Sequence, residues 1–353
     1  MARRQAARDT APPGRGGKPH LMSTAEGRRL VARIETWPVA GSFVIARGAK
    51  TRVDVVVVEI SEAGHRGRGE ATAIYYHGES AESVRAQAEA MADAIAEGIG
   101  RDDLLRAMPR GAARNAIDAA LWDLDAKRTG RPAWSLAGVA EPMPVQSAFT
   151  ISLGEPDRME ADARAAALVY PLLKLKLAGE GDIDRVAAVR RGAPEARLIV
   201  DANEGWTGRD VVAEAAALLP YGVELIEQPV RAGEDRLLDG LRSPIPLCAD
   251  ESCQDRADLA RCAGRYQAIN IKLDKAGGLT EALALAAEAR SMGLELMVGC
   301  MLSTSLGIAP AILAAQQARW VDIDGPLLLA ADRDDPVRFD RGVAYPARPS
   351  LWG

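Results

Sequence analysis

Leu172-Leu173-Lys174-Leu175-Lys176 is the stretch on which the fold turns. Residues i and i+2 of a strand share a face, so both ammoniums point one way and the leucines between them the other. Four more short apolar runs follow, and each stops on a charge: Leu198–Asp201, Glu224–Glu227, Ile245–Asp250 and Ala268–Lys272. Counted from Lys176, the intervals between these terminal charges are 25, 26, 23 and 22 residues, about one strand–helix unit each. Pro144–Ile151 before them, and Leu294–Gly299 and Trp320–Asp324 after them, raise the strand candidates to eight. Eight is the count of a (β/α)8-type barrel, in which the C-terminal ends of all strands gather at one mouth. Charges scattered through the sequence would therefore converge in space.

The chain has 353 residues, more than one barrel uses. The surplus lies ahead of it. Arg29–Glu35, Arg52–Ile60 and Gly67–Glu70 read as strands. Glu79–Glu97, with Ser80 as N-cap, and Ala112–Lys127 read as helices. The predicted organisation is α/β: a disordered tail at 1–21, an α+β capping domain at 22–140, the barrel at 141–330, and a C-terminal segment at 331–353 that returns to the capping domain. Residues 1–21 are basic and rich in Pro and Gly, lack the apolar core of a secretory signal, and place a second Met at position 22.

Composition closes off several classes. Only three His are present, at positions 20, 65 and 77, so barrel chemistry must use other groups. A net charge of −5 argues against nucleic acid as partner. Cys248, Cys253, Cys262 and Cys300 form no Cys-x-x-Cys pair and no secreted disulfide framework, which fits a cytoplasmic protein. No apolar run approaches a membrane span.

An Asp after a strand is often only the N-cap of the next helix. Asp201, Glu227 and Asp250 end three consecutive strands, however, and three carboxylates side by side repel unless a cation joins them. Oxygen ligands without His or Cys favour a hard ion, Mg²⁺ first and Mn²⁺ as the alternative. Lys176 and Lys272 stand four strands apart, on opposite sides of an eight-strand ring. A base on each face of a substrate carbon, with a cation on its carboxylate, would remove and return an α-proton through an enediolate and invert the centre.

These residues resemble the enolase superfamily, in its muconate-lactonizing subgroup. The resemblance runs from about Ile34 to Tyr345 and rests on Lys174-x-Lys176, Asp201-Ala202-Asn203, Glu227-Gln228-Pro229, Ala249-Asp250-Glu251-Ser252 and Asn270-Ile271-Lys272-Leu273 with Gly277-Gly278. It implies Lys176 and Lys272 as the acid/base pair and Asp201, Glu227 and Asp250 as ligands of one divalent ion. Within the subgroup the likeness is to dipeptide epimerases of the L-Ala-D/L-Glu kind. It implies that Asp322 and Asp324 hold a free ammonium and that Arg47, in Phe43–Gly48, meets a Glu side chain. Lys174, Thr150, Cys300 and Asn203 are implied to line the substrate site. Gly67-Arg68-Gly69-Glu70 and Tyr75-Tyr76-His77 resemble a second capping loop. Ser303 stands where many members carry a Glu.

The expected substrate is a small dipeptide and the expected context murein-peptide breakdown, with no nucleic acid, no membrane and a homo-oligomer as a further option. N-acylamino acid racemase, o-succinylbenzoate synthase or cycloisomerase activity is the alternative within the subgroup. A Schiff-base aldolase or a non-catalytic binding protein on the same barrel are alternatives of other classes.

Overall fold

The computed structural model describes residues 27–45 and 48–353. The expected tail, Met22 and Arg47 lie outside the described residues. Strands β1 (Arg29–Ile45), β2 (Gly48–Glu62) and β3 (His65–Thr72) form an antiparallel sheet in chain order. The run Val55–Val58 is buried without interruption because β2 has a core on both faces. Val53, Val55 and Val57 join the large core shared with the barrel, whereas Val56, Val58 and Ile60 join a smaller core under the capping helices.

Helix α1 (Ala81–Glu89) starts at Ser80, whose hydroxyl accepts from Ser83 N–H while the Ser83 hydroxyl accepts from Ser80 N–H, a capping box. The predicted single helix to Glu97 breaks at Ala90–Met91, and a separate turn, Ala92–Ala96, sends Ile95 into the same core. Helix α2 (Ala112–Thr129) is buried along most of its length, between β3 and the barrel. The Gly67–Glu70 segment is not a capping loop: it lies within β3. A Cβ on Gly67 would stand 2.2 Å from the Ala120 carbonyl oxygen, and one on Gly69 2.1 Å from that of Ala116. The glycines let strand and helix touch. Glu70 is buried against Thr304 and Arg333 and belongs to the packing between the layers.

Eight parallel strands follow: β4 (Phe149–Ile151), β5 (Leu172–Lys176), β6 (Arg197–Asp201), β7 (Val223–Glu227), β8 (Leu247–Ala249), β9 (Ala268–Lys272), β10 (Glu295–Gly299) and β11 (Trp320–Asp322). They neighbour one another in chain order. The sheet's ends meet where Ala148 N–H donates to the Val321 carbonyl at 2.7 Å. Helices such as Pro156–Ala166, Asp182–Gly192 and Leu279–Ser291 cover the outside. The predicted first strand splits, because Val145–Gln146 pairs instead with a hairpin of Phe339–Asp340 and Val343–Ala344. Beyond that hairpin the chain reaches α2. Trp352 Nε1 donates to the Ala119 carbonyl, and Arg68 donates to the carbonyls of Ser350 and Leu351. Among the described residues no helix is long and apolar enough to cross a membrane.

Candidate active site

The barrel interior is built in steps of two residues. Ala148, Leu172, Ile199, Leu225, Cys248, Ala268, Met297 and Trp320 pack together as an apolar floor, one residue from each strand or its approach. Two residues further along, on the same face, stand Thr150, Lys174, Asp201, Glu227, Asp250, Asn270, Gly299 and Asp322. One more step brings in Lys176, Lys272 and Asp324. All of these except Gly299 are polar, and all are buried. The floor excludes water from below while every polar side chain faces the C-terminal mouth.

Each charge has an identified partner. Lys174 Nζ lies 2.6 Å from Glu227, 2.7 Å from Asp322 and 3.4 Å from Asp201. Lys176 Nζ lies 2.6 Å from Asp201, and Lys272 Nζ 2.6 Å from Asp250. Asn270 Nδ2 donates to Glu227 Oε1 at 2.7 Å. Burial pushes the Asp201 carboxyl up, but Lys176 and Lys174 overcome it and hold it at about 2. Asp250 is likewise held well below its ordinary value, with Lys272 and Lys275 outweighing burial. Glu227 goes the other way, to about 7, through burial first and then the charge of Asp201. Burial disfavours the charged forms of Lys174 and Lys272, yet the surrounding carboxylates raise both well above the usual lysine value.

The acids at the ends of β6, β7 and β8 fit a hard divalent cation. They offer only oxygen from three neighbouring strands, and burial, with the charge of Asp201 added to it, raises the Glu227 carboxyl to about 7, a cost that a bound cation would relieve. The ammoniums of Lys174, Lys176 and Lys272 stand among these acids, and among the described residues no group of three His, Cys, Asp or Glu is gathered closely enough to hold a metal ion as it stands.

Asp322 and Asp324 make a second acidic point. Thr150 donates to both, from N–H to Asp324 at 2.7 Å and from its hydroxyl to Asp322 at 3.5 Å. Asp324 precedes the short helix Gly325–Leu328 but makes no side-chain cap to it. Its carboxyl is pushed up to about 7, by burial first and by Asp322 second, which is charge that a bound cation would relieve. Cys300 stands in the wall, and burial followed by the charge of Asp324 raises its thiol well above the ordinary value. It is not poised as a nucleophile.

These residues share one cleft. Thr150, Lys174, Lys176, Asn203, Asp250, Lys272, Cys300, Asp322 and Asp324 line it. Asp201 and Glu227 lie beneath, ion-paired to the lining lysines. Phe43, Lys50, Tyr75 and Tyr76 close the cleft from the capping side, with Leu328 from the barrel. Ser303 is buried outside the lining, with Met301 and Leu302 taking its place on the wall.

Sequence reasoning missed Asn270, Lys50 and Lys275. Lys275 is fully buried and donates to the Asp250 carboxylate at 2.6 Å, to the Asp250 carbonyl, and to the carbonyls of Cys253 and Asn270. Its only signal was a second lysine three residues after Lys272 in a mostly apolar run.

Residues 28–138 match the family described as mandelate racemase / muconate lactonizing enzyme, N-terminal domain, and residues 158–350 match the enolase C-terminal domain-like family. An L-Ala-D/L-Glu epimerase from Escherichia coli is 44% identical over 315 residues, 88% of this chain and 97% of that protein. An N-acetyl-D-glutamate racemase from Pseudoalteromonas is 47% identical over 253 residues, 71% of this chain and 79% of that protein. Among solved structures, an enolase family member from Agrobacterium tumefaciens with homology to dipeptide epimerases, holding sodium and L-Ala-L-Glu, aligns with TM-score 0.90 at 49% identity, over 92% of this chain and all (100%) of that one. A dipeptide epimerase from Enterococcus faecalis, complexed with Mg and L-Leu-L-Tyr, aligns with TM-score 0.85 at 28% identity, over 93% and 100%.

Proposed function

Because this chain belongs to the mandelate racemase / muconate lactonizing enzyme family of the enolase superfamily, we infer that it is an isomerase that epimerises dipeptides at the α-carbon of the C-terminal residue, with L-Ala-D/L-Glu as the substrate pair. The observation that carries this reading is the placement of Lys176 and Lys272 on opposite strands β5 and β9, with Asp201, Glu227 and Asp250 on the strands between and Asp322 and Asp324 at the far wall.

Asp201, Glu227 and Asp250 would hold a Mg²⁺ ion, whose charge, when bound, stabilises negative charge on the substrate's α-carboxylate as the α-proton leaves. Lys174, at the floor, adds a fixed positive charge beside the same carboxylate. One of Lys176 and Lys272 takes the proton from its face of the α-carbon and the other delivers one to the opposite face, so configuration inverts. In the reverse direction the roles exchange. Asp322 and Asp324, oriented by Thr150, bind the dipeptide's ammonium and so fix which carbon lies between the lysines. Asn203 and Cys300 border the substrate. Phe43, Tyr75 and Leu328 cover the mouth and exclude water that would compete for the proton.

A second reading is racemisation of N-acetylglutamate, favoured by the Pseudoalteromonas relative. Such a substrate has no ammonium, and the pair Asp322 and Asp324 then has no task. We place the protein in the cytoplasm and in murein-peptide breakdown, which four free cysteines and a Glu-dipeptide substrate support. Assembly into a homo-oligomer is compatible with this reading, as is a division into capping domain 22–140, barrel 141–330 and closing segment 331–353. The test is a dipeptide library in D₂O with Mg²⁺, scored by mass. Gain of one deuteron by L-Ala-L-Glu supports the reading; exchange of N-acetylglutamate but of no dipeptide overturns it.

A further inference from the structure

Lys176 and Lys272 are held from different parts of the molecule. Beyond Lys176 the chain is fixed from within the barrel: Leu177 N–H donates to the Asp201 carbonyl at 2.9 Å, and the Asp182 carboxylate accepts from Ala178 and Gly179 N–H and from the Trp206 indole. Beyond Lys272 the chain enters a single helical turn, Leu273–Ala276. Lys275 ties this turn to Asp250, and residues of α2, in the capping domain, bind the same segment. Asp274 accepts from Asn115 Nδ2 of α2 and from Thr72 N–H of β3, both at 3.0 Å. Arg114 donates from Nη2 to the Ala276 carbonyl at 2.6 Å and from Nε to that of Gly277 at 3.1 Å. Asp118 accepts from the N–H and the hydroxyl of Thr280, and the Trp122 indole donates to that hydroxyl.

Gly277 and Gly278 make these contacts possible. Their φ angles are 78° and 123°, and a Cβ would stand 2.4 Å from Arg114 Nε on the first and 2.5 Å from the Asp118 side chain on the second. No residue separates Lys272 from the turn so held: it ends β9, and the turn begins at the next position and closes where Gly277 N–H donates to the Leu273 carbonyl at 2.8 Å. The buried Arg114 guanidinium sits at the C-terminal end of that turn, where its planar donors meet carbonyls the helix leaves unpaired. Misplacing a reacting group by about 1 Å can cost about 100-fold in rate, so the grip on this turn bears on proton transfer. Given the two-base epimerase reading, on which this inference rests, we propose that Arg114 and Asn115 are positioning residues for Lys272 and not for Lys176. Docking of the capping domain then sets proton transfer on one face of the α-carbon only.

The experiment measures initial α-proton exchange in D₂O with Mg²⁺, on L-Ala-L-Glu and L-Ala-D-Glu separately, for wild type, Arg114→Met, Arg114→Lys and Asn115→Ala. The isomer that still exchanges in Lys176→Ala is the one served by Lys272, and the isomer that still exchanges in Lys272→Ala is served by Lys176; either result assigns both. On the isomer served by Lys272, Arg114→Met should lose about 10- to 100-fold in the kcat of exchange, with KM within about twofold of wild type. On the isomer served by Lys176 it should lose less than about threefold. Asn115→Ala should lose about 3- to 30-fold with the same selectivity, and Arg114→Lys should recover part of the loss. If Arg114→Met does not melt cooperatively, Asn115→Ala, which removes a single hydrogen bond, decides by the same ratio. Equal losses on the two isomers, or no loss on either, overturn the inference and leave the two-base reading intact, because a role in stability alone has no preferred face. If neither lysine variant assigns an isomer, the two-base reading falls and the inference with it.

Discussion

Asp324→Asn separates binding from folding. The substitution preserves shape, and an asparagine oxygen can still accept the Thr150 N–H that Asp324 accepts at 2.7 Å. What disappears is the charge. A buried charge-assisted hydrogen bond contributes about 1.5–3 kcal/mol, so kcat/KM for L-Ala-L-Glu should fall about 10- to 100-fold. N-acetyl-L-glutamate carries no ammonium and should lose less than about threefold. Stability should move the other way. The folded-state carboxyl stands near 7 against an ordinary 3.8, because burial and then Asp322 oppose its ionisation. A carboxyl raised in the folded state destabilises that state as pH climbs from the unfolded pKa to the folded one, by at most about 4 kcal/mol once pH exceeds 7. Asp324→Asn should therefore melt several degrees higher than wild type at about pH 8, with the gain vanishing toward about pH 4. Deuterium-exchange kinetics on the two substrates and thermal melts at the two pH values measure this. Equal kinetic losses on both substrates would refute the ammonium role. A lower melting temperature at about pH 8 would refute the electrostatic account, because a helix-capping carboxylate stabilises and its loss costs about 1 kcal/mol.

The same carboxyl sets a pH dependence: KM for L-Ala-L-Glu should rise as pH falls below about 7, by up to about tenfold per unit, and a flat KM down to about pH 5.5 would contradict it. Lys275→Met removes the ammonium that holds Asp250 and three carbonyls, and calorimetric Mg²⁺ affinity should weaken about 10- to 100-fold; wild-type affinity would show that Asp250 needs no such support. Gly69→Ala forces a Cβ to within 2.1 Å of the Ala116 carbonyl oxygen, so the melting temperature should drop by an amount equivalent to about 1–3 kcal/mol or more, and an unchanged melt would mean that β3 and α2 can separate freely.

The barrel and most of its site were legible because charges at strand ends interrupt otherwise apolar runs, and a period of two says which face they share. Lys174, Asp201, Glu227, Asp250, Lys272 and Asp322 all follow from that rule. The rule is silent on Asn270, a neutral residue inside a strand, although Gly299 beside it marks a close approach: a Cβ there would lie 2.7 Å from Asn270 Oδ1. Lys275 carries no local mark beyond its spacing from Lys272, and only the fold brings four acceptors around it. Lys50 sits in a polar sequence neighbourhood, and its place in the cleft depends on how the capping sheet docks. Gly67 and Gly69 lie in a segment whose strand reading β3 bears out and whose likeness to a capping loop it does not. Glycine usually punctuates loops, but here it makes room for α2. Val145–Gln146 parted from the first barrel strand through pairing with residues almost two hundred positions away, which no local pattern carries.

The central claim is that two lysines act on opposite faces of one carbon. Lys176→Ala and Lys272→Ala, each incubated with L-Ala-L-Glu and separately with L-Ala-D-Glu in D₂O with Mg²⁺, test it most directly. Neither variant should epimerise, and one of them should still exchange the α-proton of one stereoisomer only. If both variants epimerise normally, or if one exchanges both stereoisomers equally, the two-base account is wrong.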